Sequence, residues 1–145
     1  MIENSVLDIS EEVENARAEN TPIVCLESTV FSKLGLPSPA NAEALTRCLS
    51  VIRDHGVVPA VTAVIDGRLR LGLKDSELER ILDCEEKIAV RDLSSAVARK
   101  YPVGVTTVSA SLAIVNAADE KVFCTGGIGG VHRGASETFD ISADL

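Results

Sequence analysis

At 145 residues, with 46% apolar side chains and a mean hydropathy of +0.20, the chain is long enough to bury one core and too apolar to be disordered. Aromatic residues make up only 3%, with no Trp, so the core must come from Val, Ile, Leu and Ala, and nucleic-acid stacking platforms are excluded. A net charge of −8 supplies no basic stripe for a phosphate backbone, although a small anion held by local cations stays open.

In chain order, residues 8–19 read as a short amphipathic helix capped by Ser10, with Ile9, Val13 and Ala16 on its apolar side. Residues 22–26 form a buried strand, and Glu27, Ser28 and Thr29 follow at its carboxyl end. In an α/β fold, ligands bind outside the carboxyl ends of strands, so Glu27 is either a ligand-facing carboxylate or a helix-capping rim residue. A loop over 32–40 leads to Ser38-Pro39, an N-cap followed by a first-turn proline. Leu45, Cys48, Leu49 and Ile52 then repeat at helical spacing until Gly56 closes the helix.

Residues 57–65 predict a strand interrupted by Pro59, and Asp66-Gly67 predicts a hairpin into Leu69, Leu71 and Leu73, which alternate with Arg68, Arg70 and Gly72. Ser76 and Glu79 suit a capping box for a helix carrying Leu78, Ile81 and Leu82. A strand over 87–90, a helix from Asp92 to Lys100, a break at Tyr101, Pro102 and Gly104, a small-residue segment over 106–118 and a last strand over 121–124 complete the order. Lys87 at a strand start is either a solvated lysine or a ligand contact. The mixture of βα units with one hairpin predicts a three-layer α/β/α fold with a mixed, mainly parallel sheet, as a single domain over 1–145.

The last strand runs into five glycines within nine residues, Gly126, Gly127, Gly129, Gly130 and Gly134. Glycine allows positive φ or close backbone approach, so this is either a tight turn or a ligand cradle. The dinucleotide fingerprint fails because His132 stands where its third glycine belongs, and the P-loop fails because Ala135 replaces its lysine. Glu137, Asp140 and Asp144 follow at spacings of three and four. On a helix they would share one face, as an exposed acidic surface or as oxygen ligands for a hard divalent cation.

Cys25, Cys48, Cys84 and Cys124 are isolated in apolar runs without CxxC spacing, which suits reduced core thiols in the cytoplasm rather than zinc or thioredoxin-like chemistry. No apolar run reaches membrane-spanning length, and the acidic N-terminus lacks the basic character of a targeting peptide.

Leu26-Glu-Ser-Thr29, Pro59-Ala60, Gly72-Leu73, Arg91-Asp-Leu93, Thr106-Thr-Val-Ser109, Thr125-Gly-Gly-Ile-Gly-Gly-Val-His-Arg-Gly134 and Thr138-Phe-Asp-Ile-Ser-Ala-Asp-Leu145 together resemble the pseudouridine-5′-phosphate glycosidase family, also called indigoidine synthase A-like. The resemblance covers nearly all of residues 20–145. It implies reversible cleavage of the carbon–carbon bond of pseudouridine 5′-phosphate to uracil and ribose 5-phosphate. It also implies a divalent metal, usually Mn2+, and a homotrimer, while charge and hydropathy already argue against a nucleic-acid or membrane partner. By resemblance Glu27 is the proton-transferring acid, Lys87 and Val108 contact substrate, Asp140 ligates metal, and Ser142, Ala143 and Asp144 contact the sugar phosphate. His132 and Arg133 shape the pocket, with Arg133 the anion partner.

Two departures accompany the resemblance. Ser32-Lys-Leu-Gly35 stands one residue longer than the His-Gly loop common in the family. Family members run to about twice this length, and their imine-forming lysine lies further along, in a motif that Lys33, Lys74, Lys100 and Lys121 do not match. The expectation is therefore an N-terminal portion of an incomplete domain lacking that nucleophile. A catalytically inactive module that binds metal and sugar phosphate, and a half-domain that persists only in assemblies, are the alternatives.

Overall fold

A computed structural model describes residues 6–145; the first five residues of the expected 1–145 domain lie outside it. Seven strands and six helices alternate along it: β1 (Leu7–Ile9), α1 (Glu11–Glu19), β2 (Ile23–Leu26), α2 (Ala40–Asp54), β3 (Val58–Ile65), β4 (Arg68–Leu71), α3 (Asp75–Leu82), β5 (Lys87–Ile88), α4 (Leu93–Ala98), β6 (Val103–Thr106), α5 (Val108–Ala117), β7 (Phe123–Cys124) and α6 (Ala135–Thr138). Parallel pairing joins β1 to β4, β2 to β3, β2 to β7 and β5 to β6, while β3 pairs antiparallel with both β4 and β6. The sheet is thus mixed and mainly parallel, with one hairpin.

Strand alternation on β3 divides the core between two faces. Ala60 and Val64 pack with Val13 of α1, Leu93 and Ala96 of α4, and Ala110 and Ile114 of α5. Val61, Ala63 and Ile65 pack with Leu45 and Leu49 of α2 and Ile81 of α3. These are the three layers expected from the sequence. Pro59 does not interrupt β3. Val58 N–H bonds to Pro22 across the β2 edge, so alternation turns the Pro59 nitrogen to the opposite edge, where β4 ends with Gly72 bonded to Val61.

Several local expectations are corrected. Asp8 and Ile9 are strand rather than helix, because β4 offers Leu7 and Ile9 an apolar neighbour and gives Asp8 an ion pair to Arg70 at 2.6 Å. Ser10 still caps α1, accepting Val13 N–H at 3.3 Å. Pro39 occupies the N-cap position of α2 rather than its first turn, and Asn41 bridges this end by donating to Phe31 O and Leu82 O. The cap of α3 is Lys74, whose N–H is accepted by Glu77, not the Ser76–Glu79 pair. Asp92 accepts Ala89 N–H and gives α4 no side-chain cap.

Gly104 is inside β6, where a Cβ would stand 2.6 Å from Ile88 Cγ1, so it marks close strand packing and not a break. The Asp66-Gly67 turn has φ of 52° and 74°, both in the left-handed region, as a tight hairpin requires. Cys25, Cys48 and Cys84 are buried or half-buried free thiols, with burial pushing Cys25 up to about 12; Cys124 is exposed on β7, against the expectation of a core thiol.

β2 runs parallel to the first half of β3 and β6 antiparallel to its second half, so the carboxyl ends of β2 and β6 meet opposite Thr62. A buried hydroxyl network closes this junction. Thr62 Oγ1 donates to Leu26 O at 3.0 Å, Thr106 Oγ1 donates to Thr62 O at 2.9 Å, and Ser111 Oγ donates to Thr107 O at 2.7 Å. Ser28 Oγ accepts Thr106 N–H at 2.8 Å. Replacing Thr62 by Val leaves the buried Leu26 carbonyl without its hydroxyl donor, and a loss of ~1–3 kcal/mol is expected. Urea unfolding checks it, through a lower midpoint at unchanged slope.

Candidate functional site

At the junction opposite Thr62 the segments after β2 and β7 meet those after β5 and β6, which arrive from the opposite direction. Glu27 follows β2 and Thr125 follows β7; since Leu26 pairs with Cys124, the parallel register sets Glu27 beside Thr125. The Thr125 hydroxyl donates to Glu27 Oε1. Glu27 is 8% exposed and points away from the α2 face that holds Leu26. Burial raises its proton affinity above the usual carboxylate range, the Thr125 hydrogen bond opposes that rise, and the nearby Asp144 charge adds to it.

Asp144 sits at the start of α5, where it accepts Ser109 N–H at 2.9 Å. A carboxylate there satisfies one of the free N–H groups of the helix and meets the positive end of its dipole. Burial pushes the Asp144 carboxyl up, but hydrogen bonds from Thr107 and Ser109 together with the Lys87 charge bring it below the usual range. The site therefore holds two neighbouring carboxyls with opposite tendencies: Glu27 retains its proton longer, and Asp144 stays ionised.

The remaining sequence candidates fall into place unevenly. Lys87 opens β5 with its side chain exposed and acts electrostatically on Asp144. The Val108 side chain is buried in the core, so any contact it offers a ligand is through its backbone. Ser142 bonds through its N–H to Gly130 O at 3.0 Å and through its hydroxyl to Asp144 N–H at 3.2 Å, which ties the glycine-rich loop to the Asp144 segment. Ala143 lies half-buried between them. Asp140 pairs with the His132 ring at 2.8 Å, both side chains being exposed. Arg133 is exposed, and no contact joins it to Glu27 or Asp144.

One expectation about this region is corrected, and another is narrowed. Glu137, Asp140 and Asp144 share no helix face, because α6 stops at Thr138 and Phe139 turns into the left-handed region at φ 55°. The glycines are not demanded by backbone conformation as a group: Gly134 alone in the loop has positive φ, at 80°, while a Cβ at Gly126, Gly127 or Gly130 would meet nothing within 4 Å. Their missing side chains leave open space above the loop. Gly129 differs, since a Cβ there would come 2.3 Å from Ser142 Oγ.

Reasoning from sequence gave no role to Thr107, Ser109 or Thr125. For Thr107 and Thr125 the signal was the same as for Glu27, a polar residue directly after a strand, while Ser109 is in the first turn of the helix that follows. A groove of about 610 Å3 lies on the other face, between α2 and the β2–β7 edge, and is lined by Val24, Leu26, Cys48, Ile52 and Cys124 among others. None of the converging polar groups lines it, so the chemistry is located by the convergence and not by the volume.

The family model for indigoidine synthase A-like proteins matches residues 12–145. The chain belongs to the indigoidine synthase A-like family. Curated relatives named pseudouridine-5′-phosphate glycosidase include proteins from Caldanaerobacter subterraneus subsp. tengcongensis and Hahella chejuensis. Each is 48% identical over 98% of this chain, which covers 46% and 47% of their own lengths. Two solved structures are also similar. A prealnumycin C-glycosynthase in complex with ribulose 5-phosphate matches at TM-score 0.82 and 36% identity, over 98% of this chain and 46% of that one. An indigoidine synthase A-like protein from Thermotoga maritima matches at TM-score 0.80 and 30% identity, over 96% and 44%. This member of the family thus spans a little under half the length of the curated relatives it matches, as an incomplete domain would.

The two carboxyls fix a pH dependence. The folded chain holds the Glu27 proton more tightly than the unfolded chain. That contribution to stability is full below the unfolded value and is lost as pH rises through the folded value. Asp144 has the opposite sign: its contribution is present above the unfolded value and is lost as pH falls through the lowered folded value. Glu27→Gln keeps an acceptor for Thr125 and removes the buried charge. It is expected to raise stability by on the order of 1 kcal/mol at about pH 7 and to lose that gain by about pH 4. Urea unfolding at the two pH values checks this; an equal effect at both would contradict the burial argument.

Proposed function

We propose that this stretch forms the acid and sugar-phosphate side of a pseudouridine-5′-phosphate glycosidase site. The observation that carries the reading is the convergence of Glu27, Lys87 and Asp144 where the opposed strand ends meet. They lie far apart in sequence, and the family resemblance assigns roles to all three. Relatives bearing the glycosidase name, and a related C-glycosynthase bound to ribulose 5-phosphate, support a sugar-phosphate substrate.

In this reading Glu27 gives a proton to the uracil carbon as its bond to ribose C1 breaks, with water supplying, over the whole reaction, the oxygen that C1 gains, and it takes the proton back in the reverse direction. A carbon leaving group departs poorly unless it is protonated, and burial raises the proton affinity of Glu27 above that of an exposed carboxyl, the direction a proton-transferring acid needs. Lys87 and the N-terminal end of α5 surround the Asp144 segment with positive charge, which suits an anionic sugar phosphate.

Among the described residues no three His, Cys, Asp or Glu side chains gather as a metal site. Asp140 nevertheless suits a hard cation that retains several waters and takes a single protein carboxylate: Oδ2 faces His132, and Oδ1 has no hydrogen-bond partner. A manganese ion bound there would add positive charge for the sugar phosphate. Assembly as a homotrimer is part of the same proposal.

None of the five lysines is assigned the imine-forming role. Lys33 pairs with Asp83 and Lys121 with Asp119; Lys74 opens α3, and Lys100 sits in a left-handed turn after α4. Lys87 is the remaining one, and it is given to substrate binding.

With manganese present, residues 1–145 are expected to bind ribose 5-phosphate without releasing uracil from pseudouridine 5′-phosphate. Lys87→Ala is expected to weaken that binding about tenfold. Calorimetry and a uracil-release assay read the two quantities. Extending the chain to the length of its relatives should bring uracil release, which Glu27→Gln then lowers by ~10²–10⁴-fold. Uracil release by residues 1–145 alone would overturn the assignment of the lysines; absence of sugar-phosphate binding and of activity at full length would overturn the glycosidase reading.

A further inference from the structure

Thr125 makes three contacts through one hydroxyl. Its Oγ1 donates to Glu27 Oε1, accepts Gly127 N–H at 3.2 Å, and lies 2.9 Å from Gly127 O. A threonine hydroxyl has a single proton, so it serves either Glu27 or the Gly127 carbonyl at any moment. An ionised carboxylate only accepts, and a charge-assisted hydrogen bond is roughly twice as strong as a neutral one, so the proton turns to Glu27 whenever Glu27 is ionised. The Gly127 N–H meanwhile holds the hydroxyl oxygen in place. Glu27 Oε2 has no hydrogen-bond partner, and no buried side-chain polar atom among the described residues lacks one, so Oε2 faces open space. The two carboxylate oxygens are therefore unequal: Oε1 is tied to the glycine-rich loop, and Oε2 is free.

We propose that Thr125 is a positioning residue, pinning Oε1 of Glu27 to the glycine-rich loop so that Oε2 is the oxygen that exchanges a proton with the bound ligand. This rests on the reading of Glu27 as the proton-transferring acid. Donation to Oε1 leaves the second proton site on Oε2, directed at open space. It also prevents the carboxyl from rotating, a freedom that burial alone does not remove. The charged groups facing Glu27 are Asp144, from the segment beyond α6, and past it Lys87 on β5; neither bonds to Glu27, so Thr125 provides its side-chain anchor. When a ligand turns the Gly127 carbonyl, the competing acceptor moves and the grip on Glu27 changes with it. The loop thereby acts on the acid through the Thr125 hydroxyl.

The test is a carboxyl-carbon NMR titration of residues 1–145 labelled at glutamate, with the Glu27 resonance assigned from Glu27→Gln. Thr125→Val is expected to raise the proton affinity of Glu27 about tenfold, the worth of one hydrogen bond to a charged group, and Thr125→Ser to restore it. Thr125→Ala should match Thr125→Val, which covers the case in which the second methyl of valine disturbs the loop. An unchanged Glu27 titration in both Thr125→Val and Thr125→Ala, or a serine variant shifted as far as valine, would overturn the proposal. The titration reads the hydrogen bond whether or not uracil is released, so failure of the glycosidase reading shows in the activity assay and failure of this proposal shows in the titration.

Discussion

The site depends on β3 serving as a shared template for two strands that approach it from opposite directions. β2 takes the first half of one edge and β6 the second, so their carboxyl ends point at each other. In an open parallel sheet, ligands gather outside one row of carboxyl ends. Here two such rows meet within a single sheet. The meeting point would leave backbone groups unpaired inside the core, at ~1–3 kcal/mol each, were it not for the hydroxyls of Ser28, Thr62 and Thr106. The same hydroxyls hold the residues after β2 and β6 in register with each other. Glu27 and the start of α5 are therefore placed by the core and not by flexible loops.

On that frame the electrostatics divide two carboxyls. Glu27 is buried, with only a hydroxyl donor and a like charge near it, so its neutral form is favoured. Asp144 is also partly buried, but the end of α5, two hydroxyls and Lys87 favour its charged form. Neighbouring acids driven apart in this way can divide their labour, one carrying a proton and the other holding charge in place. The glycine-rich loop joins both: Thr125 reaches Glu27, and Gly130 is bonded to Ser142, whose hydroxyl meets Asp144.

The surface opposite the site carries an open sheet edge. The chain covers under half of each relative, and β7 is a two-residue edge strand bordered by an apolar groove against α2. Exposed sheet edges and apolar grooves invite further pairing. Val122 at 55% exposure and the exposed Cys124 belong to this edge, which is why the thiol expected in the core is found at the surface.

Much of the architecture was legible in the order of residues. Helical spacing from Leu45 to Ile52, alternation from Arg68 to Leu71 and the Asp66-Gly67 turn are local patterns, and local patterns survive into the fold. The family was legible too, through the block that begins at Thr125. What failed was whatever depended on a distant partner. Asp8 and Ile9 look helical until β4 is beside them, Gly104 looks like a break until Ile88 packs on it, and Pro59 looks disruptive until the unpaired edge of β3 is known. The acids Glu137, Asp140 and Asp144 have helical spacing, but the left-handed turn at Phe139 ends the helix between them. Sequence marked Glu27 as a carboxylate at the end of a strand. Tertiary structure alone decided its neighbours, because the Thr125 hydrogen bond and the Asp144 charge come from residues about a hundred positions away, brought in by strand register.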